Sequence, residues 1–204
     1  MPRTVGVLAV QGDVEEHLAS WRQCLTATDD EVRLVKEPSQ LNGLDALSIP
    51  GGESTVIGSL AQRTGMLEKV KEAALNGLPI LGTCAGMIFL SKRSSDSVVH
   101  DKTQPILGIL DIEVERNYFG RQPQSFERDL EIQVLGPKPY HAVFIRAPIV
   151  KKIGPQVESL AQTEEGIVAV RQGNLLATSF HPELSGDLRL HRYFLEHIAG
   201  LSMG

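Results

Sequence analysis

The pattern of apolar and polar positions changes character along the chain. In the first half, short unbroken apolar runs alternate with amphipathic stretches of helical period. Residues 4–10, Thr4-Val5-Gly6-Val7-Leu8-Ala9-Val10, carry no alternation, which is the pattern of a strand covered on both faces, as in parallel sheets. Gln11-Gly12-Asp13 turns the chain, and Val14, His17, Leu18, Trp21 and Leu25 then recur at helical spacing. That spacing predicts an amphipathic helix with Asp13 placed to cap it. Residues 31–36 and 44–49 read as second and third strands, the third ending at Pro50-Gly51-Gly52-Glu53-Ser54. A helix is expected from Ser54 onward and another over residues 66–75. Strand, helix and strand in this succession is the rhythm of a doubly wound sheet.

Beyond residue 90 the rhythm shortens. Residues 94–104 are polar and read as a surface loop, residues 109–115 alternate as a half-exposed strand does, and residues 118–123 read as a loop. Strands are expected over residues 130–135, 141–145, 156–162, 167–171 and 175–180, joined by short turns such as Gln172-Gly173-Asn174, so this half is antiparallel in flavour. Leu188, Tyr193, Phe194, His197, Ile198 and Leu201 are spaced for a closing helix, on which His191 and His197 read as structural or exposed. With neither repeat nor linker, the expectation is one α/β domain over residues 1–204. Its core is a mixed, mostly parallel sheet flanked by helices, with an additional antiparallel portion.

Composition narrows the function classes. A hydrophobic share of 42%, a charged share of 22% and a mean hydropathy of -0.06 are those of a soluble protein with a substantial core. No apolar run approaches a membrane span, and the first residues lead into a strand rather than a signal peptide, so a cytoplasmic location is expected. A net charge of -5 argues against nucleic acid as the main partner and favours small-molecule chemistry. The two cysteines, Cys24 and Cys84, suit a reducing compartment, and Cys24 reads as a structural thiol. The histidines are scattered and make no metal cluster, and no cofactor is expected.

The chemistry centres on residues 79–90, Pro79-Ile80-Leu81-Gly82-Thr83-Cys84-Ala85-Gly86-Met87-Ile88-Phe89-Leu90. An apolar run reaches a small-residue turn, presents one cysteine and resumes as a helix-compatible run, the pattern of a nucleophile elbow. Glycines at Gly82 and Gly86 let strand and helix backbones approach, and the helix N-terminus favours thiolate over thiol. The competing reading is a small buried hydrophobe. A nucleophilic cysteine needs a base and a group to orient it, and the last strand ends in His181-Pro182-Glu183. Because reactive groups gather at the carboxyl ends of strands, the Pro50-Gly51-Gly52 turn should lie beside Cys84. Gly52 and Ala85 are then candidates for the two backbone donors of an oxyanion hole, against the plainer reading of a turn with Ser54 as helix cap. His17 reads as a packed or interface histidine.

Gly82-Thr83-Cys84-Ala85-Gly86 with His181-Pro182-Glu183 resembles the class I, or triad, glutamine amidotransferases, whose fold is flavodoxin-like. More narrowly, the chain resembles the glutaminase subunits of pyridoxal 5'-phosphate synthase. The residues that narrow it are Leu8-Ala9-Val10-Gln11-Gly12-Asp13, Ile49-Pro50-Gly51-Gly52-Glu53-Ser54-Thr55, Val114-Glu115-Arg116-Asn117 with Phe119-Gly120-Arg121-Gln122, Phe144-Ile145-Arg146-Ala147-Pro148, and Ser179-Phe180-His181-Pro182-Glu183-Leu184. The resemblance implies hydrolysis of L-glutamine to glutamate and ammonia, with Cys84 as nucleophile, His181 as base and Glu183 as its orienter. It also implies that Gly52, Glu53, Ser54, Arg116, Ile145 and Arg146 surround the glutamine. The implied partner is a synthase subunit that builds pyridoxal 5'-phosphate from ribose 5-phosphate and glyceraldehyde 3-phosphate. Gln11, Gly12, Asp13 and His17 are the expected part of the docking surface. The alternatives are the glutaminase of another amidotransferase, such as imidazole glycerol phosphate synthase, and a catalytically silent scaffold.

Overall fold

In the computed structural model, residues 2–96, 104–118 and 125–202 are described. The unbroken apolar runs of the first half become parallel strands. β1 (Thr4–Leu8) lies between β2 (Glu31–Val35) and β3 (Ala46–Ile49), and β4 (Ile80–Thr83) follows on the far side of β3. Every residue of β3 and β4 is buried, as strands covered by helices on both faces must be. β12 (Leu175–Thr178) then pairs in parallel with β4, so the strand that leads into the cysteine and the strand that leads towards the histidine are neighbours.

Past β12 the sheet turns antiparallel. β11 (Gly166–Gln172) pairs with β12, with β10 (Glu158–Thr163) and with β9 (Ile149–Ile153), and β6 (Leu110–Arg116) pairs with β9. β5 (Ser91–Asp96) closes the edge by pairing in parallel with β6, giving ten strands in all. A separate antiparallel hairpin, β7 (Ser125–Leu130) with β8 (Tyr140–Ile145), is anchored to the sheet through aromatic contacts: Phe144 and Tyr140 each stand 5.7 Å from Phe180, ring centre to ring centre.

Helices cover both faces. α2 (Ser54–Arg63), α3 (Met66–Leu75) and α4 (Ala85–Leu90) bury Ile57, Met66, Val70 and Phe89 in one apolar cluster. α1 (Val14–Cys24) and α5 (Arg189–Tyr193), which continues as a π-helical turn over Phe194–Ile198, bury Leu18, Trp21, Leu190 and Phe194 in the other.

Several sequence expectations need correction. Ser94, Ser95 and Asp96 belong to β5 rather than to a surface loop, and residues 97–103 of that stretch lie outside the described residues. The strand expected over residues 130–135 ends at Leu130 and gives way to a 3-10 turn, Gln133–Leu135. Residues 119–124, which include the Phe119-Gly120-Arg121-Gln122 stretch, also lie outside the described residues. Asp13 stands at the start of α1, but its carboxylate makes no capping bond; it points elsewhere, as described below. Ser54 does not cap α2. Glu53 does, its Oε1 accepting from the Thr55 amide at 3.4 Å and from the Thr55 hydroxyl at 2.9 Å.

Candidate active site

Two backbone bonds assemble the site before any side chain takes part. The Cys84 amide donates to the Thr178 carbonyl at 2.7 Å, tying β4 to β12, and the His181 amide donates to the Val143 carbonyl at 2.8 Å, tying the end of β12 to β8. Cys84 occupies a strained conformation, φ 48° and ψ -103°, between strand and helix. Such a residue costs on the order of 1–3 kcal/mol and persists only where its surroundings hold it. Gly86 is one of the constraints: a Cβ there would stand 2.2 Å from the Ile49 carbonyl oxygen, so only glycine lets α4 start this close to β3.

His181 and Glu183 are buried. His181 Nδ1 lies 2.7 Å from Glu183 Oε1, which leaves Nε2 as the ring nitrogen available to the cysteine. The Cys84 thiol itself donates to the Ile145 carbonyl at 3.7 Å. Burial opposes protonation of His181, but its hydrogen bonds with Cys84 and Glu183 outweigh that penalty and push the imidazole up to about 10. Burial also disfavours the ionised form of Glu183, yet His17 and His181 together hold this carboxyl well below the usual range. A second carboxylate approaches from the turn after β1: Asp13 Oδ2 lies 3.4 Å from His181 Nδ1. Asp13, His181 and Glu183 therefore bring three potential ligand atoms within 4.8 Å of one another, but His181 Nδ1 and Glu183 Oε1 are already bonded to each other.

In front of Cys84 opens a pocket lined by Gly52, Glu53, Ser54, Ala85, Arg116, Ile145, Arg146 and His181, together with Asp13, Ile88 and Asn117. Every residue expected around the substrate thus reaches one cavity. Arg116 crosses it, with Nη2 3.1 Å from Glu53 Oε1 and Nη1 2.8 Å from Gln104 Oε1. The Ser54 hydroxyl joins Gln104 at 3.2 Å. Beside the cavity, Gln11 Oε1 accepts from the Glu53 amide at 2.8 Å, and the Asp13 amide donates to the Gly51 carbonyl at 3.2 Å. The turn after β1 is thereby laced to the turn after β3.

Sequence reasoning did not single out Asn117, Ile88 or Gln104 individually. A shared structural sign marks the cavity: the non-glycine residues with positive φ among those described, Cys84, Asn117 and Arg146, all line it. Such strain is invisible in a sequence, because long-range contacts impose it. His17 departs from expectation in the other direction. It is fully buried, so it forms no part of a docking surface.

The model of the SNO glutamine amidotransferase family matches residues 7–200. The chain belongs to that family. The amidotransferase is 52% identical over 194 residues to "Pyridoxal 5'-phosphate synthase subunit PdxT" of Moorella thermoacetica, covering 95% of this chain and 98% of the relative. It is 53% identical over 193 residues to the protein of the same name from Herpetosiphon aurantiacus, covering 94% and 98%. A crystal structure of a glutamine amidotransferase superposes with a TM-score of 0.85 at 47% identity, covering 97% of this amidotransferase and 99% of that chain. The structure of PurLQS from Thermotoga maritima, at 16% identity and a TM-score of 0.66, shares the fold.

Proposed function

We propose that the chain hydrolyses L-glutamine through Cys84, His181 and Glu183, and passes the ammonia to a synthase subunit that builds pyridoxal 5'-phosphate. The chain is a glutamine amidotransferase, the glutaminase subunit of pyridoxal 5'-phosphate synthase, as its family and its relatives of about 50% identity have it. The observation that carries the mechanism is the buried His181–Glu183 pair, 2.7 Å apart, just past the end of β12, the strand paired with the one that leads into Cys84.

In this reading the thiol proton already rests on His181, and Cys84 Sγ attacks the side-chain amide carbon of glutamine as the thiolate. The negative charge that develops on the amide oxygen meets the amides of Gly52 and Ala85. His181 returns its proton to the departing nitrogen, ammonia leaves, and a thioester remains on Cys84. Water, with His181 again as base, then releases glutamate and restores the thiol. Arg116 and Arg146 hold the α-carboxylate, and Glu53, paired with Arg116 at 3.1 Å, is the counter-charge for the α-ammonium.

Docking of the synthase on Gln11, Gly12 and Asp13 completes the site. Gly52 sits at φ +145°, open to glycine alone, and a Cβ there would meet Gln11 Oε1 at 2.5 Å. The Asp13 amide bonds the carbonyl of the Gly51-Gly52 peptide and Gln11 bonds the amide of the next one, so a partner that moves this turn resets the peptide that supplies one oxyanion donor. Among the described residues no helix is long and apolar enough to cross a membrane, and both thiols are free, in keeping with work in the cytoplasm beside a small-molecule synthase. The test is glutamate release by the assembled synthase carrying Cys84→Ala: the proposal expects none above background with the complex still formed, and retained turnover would overturn it.

A further inference from the structure

We propose that His17 is a positioning residue of the triad: one shared Nε2–H of its buried ring holds both the Glu183 carboxylate and the end of the strand that delivers Cys84. This rests on the triad reading above. His17 Nε2 lies 3.1 Å from Thr83 Oγ1 and 3.4 Å from Glu183 Oε1, and Nδ1 lies 2.7 Å from Ser48 Oγ. A carboxylate only accepts, so the nitrogen that faces Glu183 carries the proton, and Nδ1 takes its bond from the Ser48 hydroxyl. At 3.4 Å the bond to Glu183 is long for a lone hydrogen bond, as expected of one proton divided between two acceptors.

Four elements meet in this ring. Ser48 belongs to β3, just before the Gly51-Gly52 turn; Thr83 immediately precedes the nucleophile; Glu183 lies in the turn after β12; His17 itself is one turn into α1. Glu183 needs such help. Its Oε2 is buried with no hydrogen-bond partner among the described residues, so the carboxylate plane is set through Oε1 alone, shared between His181 at 2.7 Å and His17. The one further tie is at the backbone, where Ser20 Oγ donates to the Glu183 carbonyl at 3.4 Å. Without His17 a single bond would orient the carboxylate, which would swing with the imidazole it is meant to steady. The ring of His17 bonds Ser48, Thr83 and Glu183, none of which lines the substrate cavity, so the effect of replacing it falls on turnover and not on glutamine binding.

The experiment compares the assembled synthase carrying wild-type chain, His17→Gln, His17→Asn, His17→Leu or Cys84→Ala, measuring kcat and KM for glutamine. His17→Leu fills the space without a donor, His17→Asn reaches only the Ser48 side, and His17→Gln brings an amide N–H to the Nε2 position. Expected is a ~10- to 100-fold loss of kcat in Leu and Asn at unchanged KM, the loss typical of removing an outer-shell partner, with most of it restored in Gln. Wild-type kcat in His17→Leu, or equal kcat in Gln and Asn, overturns the proposal. Should His17→Leu fail to fold, the Gln and Asn pair alone decides. An active Cys84→Ala would mean that the triad reading had failed; an inactive one, with Gln and Asn alike, would mean that only the role of His17 had.

Discussion

At the scale of single residues, the chain contains two thiols that its fold treats oppositely. Burial pushes Cys24 up to about 11, so it stays protonated and inert at neutral pH. Cys84 stands in the cavity beside His181, whose imidazole is pushed up to about 10 and so holds its proton at neutral pH. A glutamine-mimicking electrophile should therefore label Cys84 completely before Cys24 is touched, which peptide mass spectrometry reads directly; labelling of Cys24 first would contradict the assignment. Within the proposed triad, Glu183 would support the base without giving or taking the proton. Glu183→Gln should accordingly lower kcat by at least about tenfold less than His181→Ala or Cys84→Ala, as removal of the orienting carboxylate does in studied triads. Equal losses in all three, with normal melting curves, would make Glu183 a structural residue.

At the scale of elements, α1 and α5 meet through a polar contact that is poorly satisfied. The His191 ring stands edge-on to Trp21, 4.8 Å between centres, and neither its two nitrogens nor Trp21 Nε1 has a hydrogen-bond partner among the described residues. Burial, with His17 nearby, lowers His191 to about 3, far below its ordinary 6.5. The unfolded chain thus binds a proton there between pH 6.5 and about 3 that the folded chain refuses, so stability is lost as pH falls through that window. His191→Phe removes this term and the unpaired nitrogens together. Its melting temperature should exceed that of the wild type increasingly as pH drops below 6.5, by roughly 2–4 °C for each ~1 kcal/mol recovered in a chain of this size. A constant difference between the two proteins across that range would exclude the mechanism. His191 also marks a limit of sequence reading, since its helical position alone left structural and exposed roles open. β3, β4 and the elbow were legible because strands buried on both faces must be apolar throughout. β5, Ser-Lys-Arg-Ser-Ser-Asp, and β9, Ile-Val-Lys-Lys-Ile, were not, because edge and half-exposed strands take their structure from pairing with β6 and carry little of it in their own residues. The roles of His17 and Asp13 were hidden for the same reason: each is settled by partners more than thirty residues away.

At the scale of the whole molecule, the turns after β1, β3, β4 and β12 open on one rim of the sheet, and all of the chemistry is gathered there. The turn after β1 is the outermost of them, and through Gln11 and the Asp13 amide it is bonded to the turn that carries Gly51 and Gly52. Force applied at Gln11 to Asp13 thus reaches the Gly51-Gly52 peptide, the one proposed to supply an oxyanion donor. Ammonia release by the isolated chain should be ~10²- to 10³-fold slower than with saturating synthase, the effect of one donor; full activity alone, unchanged by the partner, would refute the coupling. On either side of the elbow in sequence the packing is dense, with Leu81, Met87 and Phe89 fully buried. In the proposed assembly glutamine would enter, and glutamate and ammonia would leave, at the mouth of the cavity, on the rim that the synthase would cover. A lid tight enough to keep ammonia from solvent would also trap glutamate, so the assembly faces a problem of traffic: two products of one doorway need separate routes, and the amino acid must slip out sideways or wait for the subunits to part.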